Sequence, residues 1–200
     1  MSGPEPGTTP TPEAPPPSAW TAPPPGANRD PGPAPGVAYA TLGIRIVAYI
    51  IDAIIFGIVF AIFAAVVLGA LALGTGSSGV IIGVVFLVAF NLAYSAIYFI
   101  YGWTKLRASP GQKVLGLETV NAGDGATLTQ PQAIRRWLVL FGPFALLSAV
   151  QWVVGTTLGS LAGLISLGYL IYLVWTTYKD PKSQGFHDHY ADTVVVKRAG

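Results

Sequence analysis

Between Trp137 and Tyr178 the chain carries no charged residue. That run is about twice the roughly 20 residues a helix needs to cross a bilayer core. In a soluble domain roughly 25% of residues are charged; here 10% are, and 52% are hydrophobic. Two more apolar segments precede the run. One extends from about Ile44 to Leu73 and the other from Val80 to about Tyr101, with the polar turn Gly74-Thr75-Gly76-Ser77-Ser78-Gly79 between them. The long run is expected to break near Gly155-Thr156-Thr157-Leu158-Gly159-Ser160, and Pro143 to kink its first half. The expectation is an all-α membrane protein with four transmembrane helices, at about 44–73, 80–101, 137–155 and 158–178.

The net charge is only +2, so the positions of the charges say more than their sum. Lys105, Arg107, Lys113, Arg135 and Arg136 lie between the second and third segments, and Lys179, Lys182, Lys197 and Arg198 follow the fourth. The short turns carry none. Positive charge stays on the cytoplasmic side, which places both termini and the long loop in the cytoplasm of a cell-membrane protein.

Residues 1–37 hold most of the prolines and lack the basic-then-apolar pattern of a signal peptide. They read as a disordered cytoplasmic tail of polyproline II character. Pro15-Pro16-Pro17, Pro23-Pro24-Pro25 and Trp20 are its docking features for a protein partner.

The long loop has its own order. Val114–Val120 reads as a strand, Asn121-Ala122-Gly123-Asp124-Gly125 as a hairpin turn, and Ala126–Leu128 as a returning strand. Thr129 and Gln132 form a capping box with Pro131 in the first turn. The helix begun there is expected to carry Arg135 and Arg136 to the membrane face. The β-branched run Asp192–Lys197 is expected to pair with the loop as a small cytoplasmic β element.

Within the first apolar segment stand Arg45 and Asp52. An ionised residue at a helix centre costs roughly 2.5–3.5 kcal/mol on insertion scales, so each needs a partner or a role. Their spacing of seven returns to nearly the same helix face but separates them by about 10.5 Å. Direct contact is therefore not expected; Tyr49 lies between them. Arg45 sits near the end of the segment, where an anchoring role at lipid headgroups suits it. Asp52 is deeper and expects a hydrogen bond from Asn91, with Ser95 as a further donor. Its role is either polar glue between helices or a protonatable or cation-binding carboxylate. Gly57, Ala61, Ala65 and Gly69, and later Gly155, Gly159 and Gly163, recur at the spacing that lets helices approach closely, within one chain or between copies.

Cysteine is absent, which excludes thiolate metal sites and cysteine nucleophiles. No nucleophile–base pair stands out, so neither an enzyme nor a cofactor is expected. His187 and His189 would face one ion if they lay on a strand, but their spacing matches no strong metal motif. The alternative has Asp188 accepting backbone N–H groups or pairing with Lys113 or Arg45. Ser109–Lys113 lacks the glycine spacing of a phosphate loop. It reads as a turn into a strand, with Lys113 near a lipid headgroup.

Three stretches together resemble the RDD family of small bacterial membrane proteins: Arg45 with Ile51-Asp52; Ser109-Pro110-Gly111-Gln112-Lys113-Val114-Leu115-Gly116-Leu117; and Asp180-Pro181-Lys182-Ser183-Gln184-Gly185-Phe186-His187-Asp188 with Ala191–Val196. The resemblance covers residue 38 to the C-terminus. It implies that Arg45, Asp52 and Asp188 are the arginine and two aspartates that name the family, with Asp180 also fitting the local pattern. Asp192 departs from it, since a small residue is usual there. The family's suggested activity is transport. A small solute or ion with Asp52 as coupling carboxylate is one expectation; a non-catalytic scaffold docking partners through its tail is the other. Expected partners are the lipid bilayer, a second copy of the chain and a tail-binding protein, and not nucleic acid.

Overall fold

The computed structural model describes residue 33 and residues 36–74 and 77–198, with side chains for all of these except 77–78 and 149–158. The tail and Trp20 lie outside the described residues. Helix α1 spans Leu42–Ala72 and helix α2 spans Ser77–Ala96. Without a break, α2 continues as a π-helix over Ile97–Leu106. A one-turn helix, α3, covers Pro110–Val114; α4 runs Gln130–Lys179 and α5 Phe186–Tyr190. The strands are β1 at Val37–Tyr39, β2 at Leu117–Asn121 and β3 at Thr193–Arg198.

Among the described residues, three helices are long and apolar enough to cross a membrane: Leu42–Ala72, Gly79–Leu106 and Gly159–Lys179. Their outward faces expose large apolar side chains such as Ile54, Ile62, Val66, Ile81, Leu164 and Ile165. In water so much exposed apolar surface would drive aggregation; against lipid it is the natural solvent-facing surface. These features define a multi-pass membrane protein.

Aromatic rings join α1 to α2. Phe63 stacks on Phe90 at 3.6 Å between centroids, and Phe56 on Tyr94 at 4.6 Å. Gly57, Ala61, Ala65 and Gly69 are not part of this seam. They are exposed, and a Cβ on Gly57 or Gly69 would meet nothing within 4 Å. Gly163 is equally open, and the side of Gly155 lies outside the described residues. At Gly57, Ala61, Ala65, Gly69 and Gly163 the expected small-residue contact is thus not made within the described chain, whereas Gly159 is buried.

Helix α4 doubles back. As one straight rod it would separate Val139 from Tyr169 by about 45 Å, yet the Tyr169 hydroxyl donates to the Val139 carbonyl. The Phe144 and Tyr169 rings lie 5.4 Å apart. Both ends of α4 also meet α5, through Arg136 on Asp188 and Thr176 on the Phe186 amide. The reversal therefore falls between Phe144 and Tyr169, a range that contains the expected break.

The sheet has the order β1-β3-β2, antiparallel throughout. Alternation along β3 decides its faces. Val195 packs with Leu117 on Ala48 of α1, while Val194 and Val196 pack with Val120. The expected pairing of β3 with the loop is present, with Thr119 opposite Val195. Three details differ from expectation. Val37, assigned to the tail, belongs to strand β1. Val114–Gly116 is not strand, because Val114 ends α3 and Leu115-Gly116 form the turn into β2. The returning strand at Ala126–Leu128 is reduced to one bridge, Val120 to Thr127.

Candidate functional site

The site lies where the bundle meets the sheet and has two acidic nodes on one face of α1. The first is Asp52, 1% exposed. Its Oδ1 accepts from the Tyr98 hydroxyl at 2.8 Å and from the Gly111 amide at 2.7 Å; its Oδ2 accepts from the Ser109 hydroxyl. Ser109-Pro110-Gly111-Gln112 makes this possible. Ser109 caps α3, Pro110 opens it, and the Gln112 side chain returns to the Ser109 amide at 3.0 Å. The same Gln112 Oε1 accepts from Thr119 and Trp103, tying α3 to β2 and to the π-helix. Gly111 permits the close approach to α1: a Cβ there would sit 2.3 Å from the Ala48 carbonyl and 2.9 Å from the Asp52 amide nitrogen.

The expected Asn91 bond to Asp52 is not made; the π-helix brings Tyr98 to the carboxylate instead. Ser95 donates to the Leu92 carbonyl of its own helix at 3.0 Å. Asn91 lines the wall of a cavity farther along α2. Tyr98, Ser109 and Gly111 were not singled out as partners of Asp52. A hydroxyl and a glycine in a run opened by proline were the available signal, obscured by reading that run as a turn.

The second node is Asp188, fully buried. It stands at the third position of α5, where its Oδ2 accepts from the Gly185 amide at 2.9 Å. Arg45 donates to Oδ2 and to the Ser183 carbonyl. Arg136 donates to Oδ1 and to the Thr193 hydroxyl, and packs 4.9 Å over the Trp103 ring. So Arg45 is an internal partner of Asp188 rather than a headgroup anchor, in line with one of the two pairings weighed for that aspartate. Lys113, the other, is exposed at the end of α3. Arg136 was expected at the membrane face; it is turned inward with no exposure, while Arg135 is exposed. Helix phase explains the difference, since Ala133, Arg136 and Leu140 follow the three-then-four spacing of a buried stripe.

Electrostatics follow from this geometry. Burial alone would raise the Asp188 carboxyl, but the Arg136 and Arg45 guanidiniums outweigh it and hold the pKa far below the usual carboxylate range. Burial opposes charge on Arg136 too; Asp188 first, and then the nearby Tyr49 oxygen, keep it ionised. His187, 3% exposed, is pushed down to about 3, by burial foremost and by both arginines, against the pull of Asp188. Neither ring nitrogen of His187, nor the buried Tyr49 hydroxyl, has a well-formed hydrogen bond among the described residues.

Asp180 organises the turn between α4 and α5. Its Oδ1 accepts from the Lys182 and Gln184 amides at 2.8 and 3.0 Å, and its Oδ2 lies 2.9 Å from His189. Burial raises its pKa, and these bonds lower it to below the ordinary value. His187 and His189 lie on helix α5, not on a strand, so they do not converge on one point. Among the described residues no group of three His, Cys, Asp or Glu is placed to hold a metal.

A cavity of about 1470 Å³ lies between α1, α2 and both arms of α4. Arg45, Tyr49, Asp52, Ser95, Thr177 and His187 line its sheet end, and apolar side chains line nearly all the rest.

The fold and site define a helical membrane protein with a small sheet pinned to one end of its bundle by buried ion pairs. The model of the RDD family matches residues 39–192, more than half of the chain, and the chain belongs to that family. Searches of curated proteins and of solved structures returned no match.

Proposed function

We propose that the chain is a four-span protein of the cell membrane, with both termini and the sheet in the cytoplasm, that carries a small solute through the helix bundle. The supporting observation is Asp52. It lines the cavity, holds α3 through Ser109 and Gly111, and holds the π-helix through Tyr98. A protonated carboxyl is a poorer acceptor than a carboxylate. Protonation of Asp52 would weaken its hold on α3 and loosen the cytoplasmic end of the cavity, so that charge state and access change together. The first α4 arm, around residues 137–155, supplies the fourth span in this reading.

Proton-driven solute flux in liposomes tests it with wild type and Asp52→Asn. The expected result is loss of the dependence on a pH gradient with folded yield retained. Equal flux and equal coupling in both proteins would sink the coupling role. A scaffold reading draws on a different observation: both oxygens of Asp188 and of Asp52 are committed to internal bonds. Under that reading, removing residues 2–36 abolishes capture of a partner and leaves membrane insertion intact.

A further inference from the structure

The cavity is built asymmetrically. Its α1 wall runs from Leu42 to Leu68, about 39 Å along the helix axis, longer than the hydrocarbon core of a bilayer at about 30 Å. Over most of that length the wall is apolar, with Phe56, Phe60, Leu87, Phe141 and Leu170 among its residues. The polar groups gather at the sheet end.

Two of those polar groups are unspent. His187 is 3% exposed and borders the cavity, yet neither ring nitrogen has a hydrogen-bond partner among the described residues. The Tyr49 oxygen, also bordering the cavity, lies beside the Arg136 guanidinium, which leaves the buried hydroxyl proton free to donate. Leaving such groups unpaired is costly, and a ligand able to accept from them would recover that cost. The local charge has a sign. Arg45 and Arg136 face the single carboxylate of Asp188, leaving one positive charge in surplus beside Tyr49 and His187. Asp52, also on the floor, keeps its own negative charge, because its three donors are neutral; the positive surplus therefore belongs to the Asp188 node beside Tyr49 and His187, not to the floor as a whole.

We infer that the cavity binds an amphiphile whose apolar chain lies along the α1, α2 and α4 walls and whose anionic headgroup, a phosphate or carboxylate, accepts from Tyr49 and His187. This inference rests on the carrier reading above and names its substrate class. Its test measures binding, so failed flux and failed binding are separate outcomes. The headgroup chemistry is shared by a free single-chain amphiphile and by an anionic bilayer phospholipid.

The experiment uses the full chain in nanodiscs of zwitterionic lipid and radiolabelled dodecyl phosphate as probe. Saturable binding is expected, with dodecanol at least tenfold weaker. Tyr49→Phe keeps the ring and removes the hydroxyl, and should weaken binding about three- to tenfold. Ala53→Trp, one helical turn from Tyr49, fills the cavity beside the headgroup position and should abolish binding. Both proteins are compared with wild type for monodispersity and melting temperature, so that a folding defect in one leaves the other as the test. Competition by phosphatidylglycerol would support the bilayer as the source; its absence alongside saturable binding would support a free amphiphile. Three results would overturn the inference: no saturable binding of dodecyl phosphate, dodecanol binding as tightly, or well-folded variants that bind like wild type.

Discussion

Replacing Gly111 by alanine is expected to cost about 1–3 kcal/mol, the usual range for overpacking. The added carbon would meet backbone atoms of α1, the Ala48 carbonyl at 2.3 Å foremost, and neither side can turn away. Thermal unfolding in detergent should show it, whereas alanine at Gly57, which faces open space, should change little. Asp188→Asn is expected to cost about 3–5 kcal/mol, because it strands two buried guanidiniums; a loss under 1 kcal/mol would contradict the ion-pair node. His187 makes stability depend on pH. Its folded value of about 3 lies below the ordinary 6.5, so between those values the unfolded chain binds more protons than the folded one. Stability therefore falls as pH drops through that window, by at most about 1.4 kcal/mol per pH unit. Asp188, held far below its ordinary value, contributes fully above the ordinary carboxylate value of 3.8 and loses that contribution as pH falls below it, so between pH 7 and pH 5 the change is His187's. Melting temperatures at pH 7 and pH 5 should differ for wild type and converge for His187→Asn. At this scale Arg45 and Asp52 were legible in the sequence as charges out of place, and Asp188 through the family resemblance. Their partners were less so, because a partner's identity depends on which way a neighbouring helix is turned.

The reversal of α4 admits a direct test, helped by the absence of cysteine. Cysteines placed at Phe144 and Tyr169, whose rings lie 5.4 Å apart, should cross-link within one chain. A straight helix would hold them about 37 Å apart and give no such product. The apolar segments and their approximate ends were readable from composition, since a bilayer demands long apolar runs. The capping box at Thr129 and Gln132 was readable from chemistry, and it is present, with the Gln132 side chain 3.0 Å from the Thr129 amide. The π-helix left no such trace. Ile97–Leu106 has ordinary helical composition, and its wider turn appears only through what it delivers, Tyr98 to Asp52 and Trp103 to Gln112. Helix α3 was hidden for another reason: one turn is too short for a periodic signal to stand out from a β-branched run beside it.

For the whole molecule, sidedness is the outstanding expectation. A cysteine at Asp124 in the turn after β2 should be labelled only from the cytoplasmic side in intact cells; labelling from outside would invert the orientation proposed here. The sheet also bears on how the molecule is made. Its middle strand, β3, comes after β1 and β2 in the chain, and β1 and β2, which flank it, are not neighbours of each other. Until β3 arrives both have open edges, and until Asp188 arrives Arg45 and Arg136 have no counter-charge from α5. A chain halted before Asp188 can thread its helices into lipid but cannot close its sheet or neutralise its two buried arginines.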